Sequence, residues 1–135
     1  MKKTWLAVAL VFGLPLGACA PSKPPATLDE IKQLTKIAQL MGIQARAADP
    51  LFKQANGDWS QADWAKVAES ALRLDTTSGR IKALSRGVKW DNWAGAVNTQ
   101  ALALGQAAQN KDGTAAKAAL TEMKMACKAC HSKYK

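Results

Sequence analysis

The chain is poor in the residues that build sheets and large catalytic sites. Its 135 residues include two Phe, one Tyr and one His. No alternating run of β-branched residues occurs, which argues against an all-β fold. Nine Gly and five Pro are too few for a low-complexity or collagen-like chain. Three Cys and the single His leave little room for metal or thiol chemistry. The length allows one domain and excludes a multi-domain enzyme with its own nucleotide fold. In contrast, there are 27 alanines, the residue with the best intrinsic helix propensity. Basic residues outnumber acidic ones, 19 to 10, for a formal net charge of +9.

Residues 1–18 read as a targeting segment. Lys2 and Lys3 give a positive start, and Trp5 to Leu16 is a run of twelve residues without charge. A membrane-spanning helix needs roughly 20 apolar residues, so the run is short for a span and fits a signal peptide. It ends in Leu16-Gly17-Ala18-Cys19. This resembles the lipobox of bacterial lipoproteins, in which cleavage leaves a lipidated cysteine, here Cys19, as the new N-terminus. Ordinary cleavage at Ala18 or Ala20 is the alternative. Ala20 follows the cysteine where Asp would mark retention, so the resemblance implies the outer membrane rather than the inner. The expectation is a periplasmic chain, lipid-anchored, in an oxidising compartment. Residues 19–27 carry Pro21, Pro24 and Pro25 and read as an extended tether. Residues 28–135 form the expected domain.

That domain reads as four amphipathic helices. The first opens at Thr27-Leu28-Asp29-Glu30, a capping-box pattern. Its expected apolar face is Ile31, Leu34, Ile37, Ala38, Met41, Ala45 and Ala48, and Asp49-Pro50 is expected to end it. Leu40 and Ile43 fall off this face and suggest a partner subunit or another helix, leaving a homodimer open. The second helix is expected from a Ser60 N-cap, with Trp59 and Trp64 as a hydrophobic staple. Trp64, Val67, Ala68, Ala71, Leu72 and Leu74 form its face, and Thr76-Thr77-Ser78-Gly79 is expected to stop it. Residues 80–90 read either as a short helix or as a crossover. The third helix begins near Asp91 and presents Trp93, Ala96, Val97, Gln100, Ala101, Leu104, Ala107 and Ala108. The short Asn110–Gly113 connection predicts an antiparallel neighbour. The last helix starts near Thr114, with Ala116, Ala119, Leu120, Met123, Ala126, Cys127, Cys130 and His131 on one stripe. The fold class is therefore all-α, an antiparallel four-helix bundle. Its stripes are rich in alanine, so a large apolar group is expected to complete the core.

Cys127-Lys128-Ala129-Cys130-His131 is C-x-x-C-H, the attachment motif for c-type haem. Two thiols reach the vinyl groups on one porphyrin edge, and the adjacent imidazole reaches the iron. The cysteines balance: Cys19 for the lipid, Cys127 and Cys130 for thioethers, none left over. A thioredoxin-like C-x-x-C wants a βαβ context. A structural zinc site needs four ligands, and this chain has no second His to supply one. An accidental motif on a structural helix is the remaining alternative.

With this motif near the end of a last helix, followed by Ser132-Lys133-Tyr134-Lys135, the chain resembles the cytochrome c′ family, including its low-spin c-556-type members. The resemblance covers about residues 28–135. It implies a four-helix bundle with one covalently bound haem c, Cys127 and Cys130 as anchors and His131 as the proximal iron ligand. Family members with a distal methionine take it from the first helix, where Met41 stands. Met123 and Met125 share a helix with His131. A methionine ligand suits one-electron transfer. If the first helix is shifted, Leu34 or Ile37 would instead cap a five-coordinate iron that binds a small gas such as NO or CO.

No acid, base or nucleophile constellation points to an enzyme. Trp90 and Trp93 are candidate haem-edge contacts, and Gln100 and Arg46 are candidate propionate partners. Lys117, Lys124, Lys128 and Lys135 form a basic stripe beside His131 that suits either an acidic redox partner or a solvated face near an anionic membrane. The basic residues lack the aromatic interleaving of a nucleic-acid surface.

Overall fold

The computed structural model describes residues 24–134. The leader, Cys19, the first part of the tether and Lys135 lie outside the described residues. Five helices and no strand occur among the described residues: α1 (Leu28–Gln33), α2 (Ile37–Gln54), α3 (Trp64–Ala83), α4 (Val88–Asn110) and α5 (Gly113–Tyr134). No described helix is long and apolar enough to cross a membrane. The bundle is formed by α2 to α5, and α1 is a short arm laid against α3.

The first expected helix starts as its sequence indicates. Glu30 N donates to Thr27 Oγ1 at 3.2 Å, and Thr27 N donates to Glu30 Oε2 at 2.6 Å. It then breaks at residues 34–36, contrary to the single continuous helix expected. Leu34 has extended backbone geometry (ψ 138°), and its carbonyl accepts from Arg80 Nε at 2.7 Å. A carbonyl committed to a side chain on α3 is not available for the next helical turn, so tertiary bonding replaces the local ladder.

The break resets the phase of α2. Leu40 and Ile43, read as facing a partner subunit or another helix, are buried within the bundle, whereas Ala38 and Ala45, expected on the apolar face, are exposed. Asp49-Pro50 does not end the helix either. Pro50 lies within α2, which continues to Gln54. A proline inside a helix forfeits one backbone bond. Continuing the helix buries Leu51 and packs Phe52 against the core, and burial of each large side chain contributes about 1.5–3 kcal/mol.

The N-cap of α3 is Asp63, not Ser60: Lys66 N donates to Asp63 Oδ1 at 3.2 Å. Ser60 instead turns back on Asp58, donating through both its N and its Oγ at 2.8 Å. The Trp59–Trp64 pair is present, with ring centroids 5.4 Å apart. Thr76–Gly79 does not stop the helix. Thr77 and Ser78 are fully buried, and their hydroxyls donate to Arg73 O at 2.8 Å and Leu74 O at 2.6 Å. Hydroxyls satisfied on the preceding turn let polar residues remain inside a helix. Residues 80–83 extend α3, and Gly87 (φ +110°) turns the chain into α4, three residues earlier than expected.

The α4–α5 hairpin follows its pattern more closely. Lys111 takes the left-handed conformation (φ 53°), and Asp112 N donates to Ala107 O at 2.9 Å. Leu74, Leu104, Leu120 and Met123 are fully buried in the main core beside a layer of alanines that lets the helices approach closely. A second cluster sits at the other end, built on Ile31, Leu40, Ile43, Ile81, Trp90 and Ala94.

Candidate haem site

α3 contacts α2 and α4, and α4 contacts α5, but α2 and α5 meet in few places. Between them lies a cleft of about 480 Å³. Its α5 wall carries Lys124, Cys127, Lys128, Cys130, His131 and Ser132. Its α2 wall carries Met41, Gln44, Ala45, Ala48, Asp49 and Phe52, spaced to share one helical face. Ser78 and Ile81 of α3 and Trp93, Ala94 and Val97 of α4 form the floor.

The motif sits in the last two turns of α5, where residues three and four apart share a face. Cys127 and Cys130 are half-buried and not disulfide-bonded, and His131 is exposed at the rim. Burial pushes both thiols above the ordinary range, and Cys130 adds to the effect on Cys127. Both therefore remain neutral thiols at pH 7. Among the described residues no group of three or more His, Cys, Asp and Glu could hold a bare metal ion, which disfavours the zinc alternative. An apolar cleft carrying two neutral thiols and an imidazole on one wall fits a covalently held porphyrin.

Met41, half-buried, lies on the α2 wall of this cleft, whereas Leu34 and Ile37 do not line it. Met123 is fully buried in the main core, and Met125 is exposed on α5. Trp93 lies on the floor. Trp90 instead donates Nε1 to Ile81 O at 2.9 Å and meets the Tyr134 ring edge-on at 5.1 Å, so it supports the end of α5 rather than lining the cleft. Arg46 lines a separate groove between α2 and α3, and Gln100 one between α4 and α5. Neither reaches the cleft as expected, because each points from the other side of its helix. Lys124 and Lys128 border it, and Lys124 Nζ stands 5.7 Å from the centre of the Phe52 ring.

The sequence reading missed Gln44, Ser78, Asp49 and Phe52. Phe52 lies beyond the Asp49-Pro50 signal and Ser78 within the Thr76–Gly79 signal, both read as helix stops. Gln44 and Asp49 required the phase of α2 set by the break at 34–36.

The sequence profile of the family described as cytochrome c′ matches residues 75–135. Over that stretch the chain matches the cytochrome c′ family. The matched stretch runs from the end of α3 through α5 and includes C-x-x-C-H, and proteins of this cytochrome family carry covalently attached haem c with its iron. Comparison with curated proteins and with solved structures gave no significant match. The chain is thus a c-type haem cytochrome. α1 and α2, with Met41, fall outside the matched residues.

Proposed function

We propose that this cytochrome is a one-electron carrier, held at the membrane by a lipid on Cys19, with its haem iron between His131 and Met41. The observation that carries the reading is that Met41 of α2 and His131 of α5 line the same cleft as Cys127 and Cys130. The haem supplies a ferric–ferrous couple. Cys127 and Cys130 anchor it, and His131 provides the proximal nitrogen. Met41 would offer its thioether to the iron from the α2 wall, and methionine ligation would raise the potential and suit electron transfer. With a haem bound, Ala48, Val97, Ile81 and Phe52 on the lining would present apolar surface to it and keep water from its face. Lys124 and Lys128 border its mouth and would attract an acidic redox protein, an attraction that weakens with salt.

The test is the absorption spectrum of the exported, haem-loaded protein, oxidised and reduced, with and without carbon monoxide, beside Met41→Ala. Sharp low-spin reduced bands that Met41→Ala abolishes are expected. A high-spin spectrum with prompt carbon monoxide binding, indifferent to Met41→Ala, would replace the carrier with a five-coordinate gas-binding protein. The anchor is tested separately: Cys19→Ser should move the protein from the membrane fraction to the soluble periplasm.

A further inference from the structure

Gln44 is the buried polar side chain of the cleft with no hydrogen-bond partner among the described residues. It is 8 % exposed and lines the α2 wall. Ser78, the other buried polar residue there, already donates to Leu74 O at 2.6 Å. Asp49, Lys124, Lys128, His131 and Ser132 are exposed and can be solvated. The Gln44 amide atoms keep some solvent access, since the one sealed, unpartnered side-chain atom among the described residues is Asp91 Oδ1. A haem filling the cleft would remove that access, and an amide so covered needs a partner, at a cost of about 1–3 kcal/mol without one.

Gln44 lies three residues beyond Met41, within side-chain reach on the same helical face. Its wall faces the one that bears His131. The polarity and hydrogen-bond donors on this side of a haem decide which ligands its iron accepts. An amide NH₂ offers two donors. We propose that Gln44 is a distal hydrogen-bond donor, which stabilises a small ligand able to accept a hydrogen bond in the space that Met41 leaves when it is displaced. The exchange swaps one axial donor for another, with no change in iron oxidation state and no co-reactant. This rests on the reading of the cleft as a haem site with Met41 on its distal side. It makes the site bifunctional: a closed electron carrier with Met41 on the iron, and a polar-ligand site with Met41 off.

The test compares Met41→Ala with Met41→Ala/Gln44→Leu, both haem-loaded, by titrating the ferric proteins with cyanide. Loss of one hydrogen bond should weaken cyanide binding about tenfold. Gln44→Ala in the same background, which also removes the donor, should weaken it as much. The C–O stretch of the ferrous carbon monoxide adduct should rise in Gln44→Leu. Cyanide affinity within about twofold of the Met41→Ala parent, with haem content and far-ultraviolet circular dichroism intact, would overturn the proposal. So would full affinity in Gln44→Ala, which keeps the comparison decisive if the leucine variant fails to fold. Failure of the Met41 reading is distinguishable: the wild-type and Met41→Ala spectra would then coincide, and the cyanide comparison would still report on Gln44.

Discussion

The two walls of the cleft are built in different ways. The α5 wall is local: Cys127, Cys130 and His131 are fixed to one another by an unbroken helix, whatever that helix packs against. The α2 wall is tertiary. Its phase depends on the break at residues 34–36, and the start of the arm is held from α3, with Arg73 Nη1 donating to Ala26 O at 2.6 Å and Arg80 Nε to Leu34 O at 2.7 Å. Covalent attachment therefore rests on a short-range motif. Axial chemistry on the distal side rests on contacts between residues more than forty positions apart. The family match follows the same division, covering the α5 wall and omitting α2.

The largest expected effect removes the local wall. In Cys127→Ser/Cys130→Ser the thioethers cannot form, and acidified acetone should extract all haem from the purified protein, whereas the wild type should keep it with the polypeptide. A single substitution should leave one thioether and an intermediate, shifted haem spectrum. Haem retained by the double variant through acid extraction would sink the assignment of the α5 wall.

A smaller effect is expected at the opposite end of the bundle, where Gly113 opens α5 against the loop that follows α2. A Cβ on Gly113 would stand 2.5 Å from Trp59 Cβ and 2.8 Å from its Cγ. Those atoms are near the backbone and cannot swing aside as a flexible tip would. Gly113→Ala should therefore destabilise the fold by about 1–3 kcal/mol, despite the better helix propensity of alanine. Denaturant unfolding would read the loss. The haem spectrum should stay unchanged, because the strain lies at the other end of the helices from the motif. An altered axial spectrum would mean that the two ends are coupled.

How far the site could be read from the sequence follows the same line. C-x-x-C-H, the stripe of Ala116, Ala119, Leu120 and Met123, and the short link before α5 depend on neighbours in sequence, and all were legible. On α4 the reading found Val97, Ala101, Leu104, Ala107 and Ala108, though it began the helix too late to bury Trp90. On α3 it took Thr76–Gly79 as a stop, because hydroxyls bonded back to their own helix look, in sequence, like hydroxyls that end one. On α2 the error of phase has one origin. With helix assumed from Thr27 to Asp49, the wheel sets Leu40 and Ile43 off the main face, against a partner subunit or another helix, and passes over Gln44. A three-residue interruption rotates the following face, and Arg80, which holds it open, is 46 residues away from Leu34. Met41 falls centrally on the expected stripe and still lines the cleft in the observed phase.

The smallest expected effect acts on that interruption alone. Arg80→Ala removes the hydrogen bond to Leu34 O and leaves the exposed part of the junction to water, so the global cost should be only about 1 kcal/mol. Its local consequence should be larger in kind. Amide hydrogen exchange should accelerate in residues 28–41 and remain at its wild-type rate through α5, since the motif helix has no bond to the arginine. With Met41 on the iron, the loosened junction should also raise the high-spin fraction of the reduced spectrum without loss of covalent haem. If exchange instead rises equally in both walls, the arm is not an independent unit, and the contrast between a locally fixed proximal wall and a remotely fixed distal wall does not hold.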